Sequence, residues 1–247
     1  MSSGISGYHA IEEIIKNRRL TGGVLYFSGT SNRTQALVAA ANNKKIRVEK
    51  VSNQNLVQIS ENEDVRNVYL VFNKAENLGN SIESMFESIS SNPDKKRLYI
   101  VLDGITDPHN MGAILRSADH FAVDGVILPE KRSASINETV IKVSSGASEY
   151  ISIYTVTNIV RIIKKFKENN FWIYGAEMNG VPLTSCDFDG KCVLILGSEG
   201  KGISRLLSDN CDIFVSIPSK GHIDSFNVSV AAGILMYEIR RAQNLII

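Results

Sequence analysis

Three short stretches in the second half of the chain carry residues that can do chemistry. The first is DPHNMGAILRSADHF (residues 107–121), which places Asn110 six residues before Arg116. A guanidinium at such a place is suited to hold a phosphate or a hydroxyl oxygen through paired N–H donors. The second is LGSEGKGIS (residues 196–204), where Glu199 sits among glycines. A loop without side-chain bulk can wrap a ligand closely with its backbone. The third is IPSKGHIDSFNVSVAAGILMYEIRR (residues 217–241), in which a polar cluster holding Ser225 and Asn227 directly precedes an apolar helix. Free N–H groups at a helix start and neighbouring polar side chains can converge there on a ligand. Each stretch also has a plainer reading. Asn110 can be a cap with Arg116 on the surface, the second stretch a glycine turn, and Ser225 or Asn227 an N-cap. Three such corners, each after an apolar strand of one domain, weigh toward a shared site.

The elements that must position these corners alternate strand and helix. Residues 98–102 and 193–196 are near-continuous apolar runs, and GVILP, EYISIYTV, FWIYGAEM and DIFVSIP read as further strands. NMGAILRSADHFA, NIVRIIKKFKENN and a short ISRLLSDN read as the helices between them. Strands apolar throughout signify a parallel sheet covered on both faces, where ligands gather at the carboxyl ends of the strands. In the last helix Val228, Ala231, Ala232, Leu235, Met236 and Ile239 form the apolar face, and Glu238, Arg240 and Arg241 are expected in solvent. The first part of the chain is a smaller α/β pattern, with GYHAIEEIIKN and NRTQALVAAANNKK as helices and GVLYFS, IRVEKV and VRNVYLVFN as strands. Between the two, residues 73–96 are polar, with one amphipathic helix from about Ser81 to Ile89. The expected division is therefore a small domain over 1–72, a linker over 73–96 and a larger domain over 97–247.

Composition narrows the class. Lys and Arg number 27 against 26 Asp and Glu, a net charge of +1, so no long-range basic field announces a nucleic acid, although a local patch can still bind phosphates. No stretch is long and apolar enough for a membrane span, and the N-terminus shows no apolar signal region, so a cytoplasmic protein is expected. Cys186, Cys192 and Cys211 are odd in number and lack paired metal-ligand spacing, and the four histidines form no metal motif; reduced thiols and no metal are expected. A dinucleotide-dependent oxidoreductase is disfavoured because the glycine fingerprint and its distant acid are missing.

The three stretches, in this order, resemble the motifs of the SpoU family, also called the TrmH family, of RNA ribose 2'-O-methyltransferases. SGYHAIEEIIK at the N-terminus is similar to the start of the small L30e-like RNA-binding domain carried by some members, and VIKVSSGASEY resembles the subgroup that methylates a guanosine of 23S rRNA, the RlmB type. The resemblance implies an α/β SPOUT-type C-terminal domain with a parallel sheet and a deep trefoil knot. The strand pattern alone gives only an ordinary doubly wound sheet, since threaded chains are rare. It also implies S-adenosylmethionine as cofactor, RNA as substrate, with 23S rRNA the expected one, and a homodimer formed through the C-terminal domain. The alternatives within reach are a tRNA ribose, an rRNA adenosine, and a non-catalytic RNA-binding protein.

By the same resemblance, cofactor contacts fall on the backbone of Gly197, Ile217 and Phe226. Arg116 acts at the ribose hydroxyl, as base or as orienting group. A free guanidinium hardly deprotonates, so orientation and charge stabilisation carry weight. Asn110 holds the arginine or the ribose, Glu199 pairs with Arg116 or orders its loop, and Ser225 and Asn227 position the nucleotide. His109 and His222 lie beside these corners without an implied role. Related enzymes often have Gly where this chain has Ala122, a change expected to matter only if the position needs φ > 0. Arg18, Arg19, Arg33, Lys44 and Lys45 of the small domain are candidate phosphate contacts.

Overall fold

The computed structural model describes residues 2–16, 20–61, 65–74, 81–131, 133–222 and 225–246. They form two compact units, one drawn from residues 1–78 and 136–150, the other from 79–135 and 151–247. Arg18 and Arg19 lie outside the described residues.

The small unit runs β1 (Ser2–Ser6), α1 (Tyr8–Lys16), β2 (Leu20–Phe27), α2 (Asn32–Asn43), β3 (Arg47–Lys50), α3 (Asn53–Ser60) and β4 (Val68–Lys74). Its sheet has the order β1-β4-β2-β3, with β4 antiparallel to both neighbours and β3 parallel to β2. Ile11, Ile14 and Ile15 on one side of α1 meet Leu25, Leu37, Leu70 and Phe72 in a common core. α2 begins where Ser31 Oγ accepts from Thr34 N at 3.1 Å, and α3 where Ser52 Oγ accepts from Asn55 N at 3.2 Å. β1 and α3 go beyond what the sequence pattern shows.

The larger unit begins with α4 (Ile82–Ser91) and continues through β5 (Arg97–Asp103), α5 (Pro108–His120) and β6 (Gly125–Pro129). After α6 (Glu138–Val143) come β7 (Ile153–Val156), α7 (Ile159–Glu168), β8 (Trp172–Pro182), β9 (Lys191–Gly197), α8 (Arg205–Ser208), β10 (Ile213–Ser216) and α9 (Val228–Ala242). The six strands form a parallel sheet in the order β10-β8-β9-β5-β6-β7. Leu98, Ile100, Val101 and Leu102 of β5 and Val193, Leu194 and Ile195 of β9 are fully buried, as expected of central strands covered on both faces. The order reverses between β5 and β9, whose ends are in register at Asp103 and Gly197. That is the crevice where open parallel sheets take ligands.

Two segments depart from a simple two-domain string. α4, inside the expected linker, is closed by a capping box between Ser81 and Ser84 and buries Met85 and Ile89 in the core that holds Tyr99 and Phe166. Residues 136–150, between β6 and β7, belong with the small unit. Ile141 joins the core of Ile11 and Leu25, and Tyr150 donates its hydroxyl to Glu13 Oε2 at 2.8 Å.

Arg240 corrects the expectation of solvent at the end of α9: it is 2% exposed. Its guanidinium donates to Phe121 O at 3.0 Å, to Ala122 O, to Asp124 Oδ2 at 2.9 Å and to Gln243 Oε1 at 2.7 Å. These bonds satisfy carbonyls left free at the end of α5, where a cation is favoured. Ala122 itself has φ 47, a left-handed conformation in which glycine is at ease and alanine is strained.

Candidate functional site

The three polar corners meet at the carboxyl ends of β5, β9 and β10. α5 starts on Asp107, whose Oδ1 accepts from His109 N at 2.9 Å, with Pro108 in the first helical position. This cap fixes the entry of the helix and places Asn110, 9% exposed, in its first turn. The loop after β9 is pinched shut by a pair of backbone bonds, Ser198 N to Gly202 O at 3.1 Å and Gly202 N to Ser198 O at 2.9 Å. Closure requires glycine at Gly197, where a Cβ would stand 2.1 Å from the carbonyl carbon of Gly202. Gly200 and Gly202 have φ 80 and 64, so they turn the chain without strain. Asp103 Oδ2 accepts from Ser204 N at 2.7 Å and ties the far side of this loop to the end of β5.

Glu199 stands at the tip of the pinched loop and is the hub of a closed triangle. Its Oε1 accepts from Asn110 Nδ2 at 3.1 Å and from Asn227 Nδ2 at 2.7 Å, and Asn227 Nδ2 also donates to Asn110 Oδ1 at 2.9 Å. The amide orientations follow from chemistry. Asn227 caps α9, and its Oδ1 accepts from Ser229 N at 2.9 Å; a backbone N–H can only donate, so the amide nitrogen must face the other way. That orientation in turn sets Asn110 with its oxygen toward Asn227 and its nitrogen toward Glu199. Glu199 Oε2 has no hydrogen-bond partner among the described residues and is left to accept from a ligand.

The other expected site residues are in different states. Gly197 is in the pinched loop, Ile217 is half-buried just after β10, and Ser225 and Phe226 are exposed ahead of the Asn227 cap. Arg116 is exposed on α5 and makes no hydrogen bond or ion pair with a described residue. Six residues at 100° each put it about a third of a turn round the helix from Asn110. Glu199 therefore orders its loop through two asparagines and not through an arginine. His109 and His222 are exposed. Asp103 and Asp107 are the positioning residues that the sequence reading passes over. The Asp-Pro pair before an apolar helix signals the Asp107 cap, whereas nothing near Asp103 signals its bond to a residue 101 positions away.

The buried cysteines are poor nucleophiles. Burial pushes the Cys192 thiol up to about 12 and the Cys211 thiol up to about 11, far from thiolate formation at neutral pH. Among the described residues no three His, Cys, Asp or Glu side chains are grouped to hold a metal ion, and no helix is long and apolar enough to cross a membrane.

Residues 97–237 match the SpoU rRNA Methylase family, and residues 5–78 match a family described as RNA 2'-O ribose methyltransferase substrate binding. A protein of Borreliella burgdorferi, an uncharacterized tRNA/rRNA methyltransferase, is 40% identical over 220 residues, covering 87% of this chain and 96% of that one. A Staphylococcus aureus protein, provisionally named a TrmH family tRNA/rRNA methyltransferase, is 45% identical over 146 residues. That match covers 59% of this chain and 59% of the relative, so it spans under two thirds of the relative's length. A Porphyromonas gingivalis structure, provisionally named an RNA methyltransferase of the TrmH family, superposes with a TM-score of 0.76 at 26% identity, over 97% of this chain and 90% of that one. AviRb of Streptomyces viridochromogenes, a SpoU methyltransferase solved with AdoMet, shares the fold with a TM-score of 0.77 at 19% identity, over 99% of this chain and 91% of that one.

Proposed function

The chain belongs to the SpoU rRNA methylase family, and on that premise we propose that it transfers a methyl group from S-adenosylmethionine to a ribose 2'-hydroxyl of RNA. The observation that carries this reading is the Asn110–Glu199–Asn227 triangle, which joins the ends of three strands of the parallel sheet into one polar mouth. The residues present fit the cofactor. Gly200 and Gly202 bring no side chain to the turn of the loop after β9, and Glu199 at its tip keeps one carboxylate oxygen free. Gly197, Ile217 and Phe226 would hold it through main-chain groups. When bound, it supplies a methyl on a sulfonium that is already strongly electrophilic.

The chain's own task is then to align the hydroxyl oxygen and manage its proton. Arg116, exposed and unengaged, is free to receive a substrate phosphate or the developing oxyanion on its paired N–H groups. Asn110 and Asn227 keep Glu199 in place, and Ser225 stands beside them for the nucleotide. The threading implied by the sequence resemblance belongs to the same reading: residues 217–227 run from β10 to α9 and bring Asn227 back to the corner of the other two loops.

The nucleotide we propose is a guanosine of 23S rRNA, selected by the small unit, whose segment 5–78 matches a substrate-binding family. Arg33, Lys44 and Lys45 would meet phosphates there. A second copy would cover the exposed Phe226, Val230 and Tyr237 along α9, giving a homodimer in the cytoplasm. Mapping ribose methylation on 23S rRNA and tRNA from cells with and without the protein tests the substrate. Loss of one mark on a 23S guanosine is expected; loss of a tRNA mark alone would move the substrate, and loss of none would remove the activity. Sedimentation velocity tests the dimer.

A further inference from the structure

A second concavity lies on the small unit, a cleft of about 280 Å3 whose walls include Ser6, Tyr8, His9, Arg33, Lys142 and Ser145. Three separate stretches build it: the turn into α1, the start of α2, and the segment 136–150 that enters the unit from between β6 and β7. Arg33 and Lys142 bring two fixed cations from different directions. α1 begins after Gly7 without an acidic residue in its first turn, and Tyr8, His9 and Ala10 line the cleft, so the positive end of this nine-residue helix borders it. Ser6 is a further pointer to a ligand. It is 5% exposed, it lines the cleft, and its hydroxyl has no hydrogen-bond partner among the described residues.

The other groups are held ready. Tyr8 OH bonds to Thr34 Oγ1 at 2.7 Å, and the Arg33 guanidinium lies over the Tyr8 ring at 4.9 Å. Glu13 is engaged by Lys16 and Tyr150, and Glu12 lies 3.7 Å from Arg33 Nε and 3.9 Å from His9 Nδ1. It leaves the two terminal nitrogens of Arg33 without an ionic partner among the described residues.

We infer that this cleft binds a phosphodiester of the RNA substrate, with the anion between Arg33, Lys142 and the start of α1, and the ribose along Tyr8. The inference rests on the proposed RNA-directed function and adds a specific claim to it. Recognition by the small unit includes Lys142 and Ser145, which lie outside the 5–78 stretch that matches the substrate-binding family. Phosphate contacts of this kind position an RNA without reading its sequence.

The test is anisotropy titration of a fluorescein-labelled RNA hairpin between about 50 and about 200 mM salt. The pair Arg33→Ala, Lys142→Ala should weaken binding about tenfold or more at the lower salt. It should also reduce the slope of log affinity against log salt by about 1, the counterions released per contacted phosphate. Ser6→Ala should weaken binding by a few-fold with the slope unchanged, because a hydroxyl carries no charge. The charge-matched pair Arg47→Ala, Lys50→Ala on β3 should leave both quantities within about twofold. Equal losses from the two pairs, or none from the cleft pair, overturns the cleft while leaving RNA binding in place. Calorimetry with S-adenosylmethionine separates the levels: a wild-type protein that takes up the cofactor but binds no RNA overturns the functional reading together with this inference.

Discussion

Asn227 and Asn110 are 117 residues apart in sequence, yet the amide nitrogen of Asn227 donates to Asn110 Oδ1 at 2.9 Å and to Glu199 Oε1 at 2.7 Å. Because the oxygen of the same Asn227 side chain caps α9, the helix start and the site are set by one rotamer. Replacing Asn227 by Asp therefore keeps the cap but sets a carboxylate against Glu199. The expected outcome is near-native stability with methyl transfer reduced about 10²-fold, the scale of a displaced positioning group. Thermal melts and single-turnover rates measured side by side check it.

Glu199→Gln asks whether the charge matters or only the acceptor. An amide oxygen can still accept from both asparagines, so loop and fold should hold. The remaining oxygen would become a donor, and a ligand that donates to Oε2 would lose its partner. S-adenosylmethionine or RNA affinity, or the rate, should fall about tenfold or more while the melting temperature moves little. An unchanged enzyme would return Glu199 to a loop-ordering role alone.

Arg116 is exposed and unbonded among the described residues, so Arg116→Ala should leave folding and cofactor binding nearly unchanged. The single-turnover rate at saturating RNA should fall by about 10²-fold or more, and Arg116→Lys should not rescue it, since one ammonium lacks the paired geometry. A loss confined to RNA affinity would make Arg116 a phosphate anchor.

Asp124 is the counter-charge of the buried Arg240, with Arg97 Nη1 3.6 Å from its other oxygen. Asp124→Ala leaves those cations uncompensated and should destabilise the larger unit by about 3–5 kcal/mol in urea titrations. The loss should be smaller when Arg240→Met is already present, because the two residues share one network.

Ala122→Gly relieves the left-handed alanine at φ 47 and should raise stability by up to about 1 kcal/mol, whereas Ala122→Val should lower it. Paired melting curves decide between them.

The Glu13 carboxyl is held below its ordinary value of 4.5, first by the hydrogen bond from Lys16 and then by that from Tyr150, against an opposing effect of burial. A lowered folded value means that its contribution is full above the unfolded value and is lost as pH falls through the folded one. The stability difference between wild type and Glu13→Gln should therefore shrink as pH falls from above the unfolded value of 4.5 through the lowered folded value. A difference independent of pH would show that the carboxylate is not linked to folding.

How far the sequence was legible depends on where the partners lie. The apolar strands around Leu98 and Val193 announce a covered parallel sheet because burial on both faces leaves no polar alternation. Asn227 before Val228 announces a cap because cap and helix are neighbours. Arg240 could not be read: at the end of an amphipathic helix an arginine looks solvated, and its carbonyl and carboxylate partners are 116 to 119 positions away. β1, in SSGIS, has no strand composition of its own and exists because β4 offers it an antiparallel edge. The strain at Ala122 shows only in the backbone angle, since an alanine in a sequence gives no hint of a left-handed conformation.

The capture of residues 136–150 by the small unit has a consequence for the order of assembly. Ile141, with Ile136 packed beside it, fills a core whose other buried members end at Phe72. As the chain leaves the ribosome, the first unit to emerge has an apolar vacancy that stays open until α4, β5, α5 and β6 have been synthesised. Its completion waits on contacts of long sequence separation, which form late. The N-terminal unit is thus made first and finished second, and a chimera that exchanges residues 1–78 alone would inherit the vacancy without the residue that fills it.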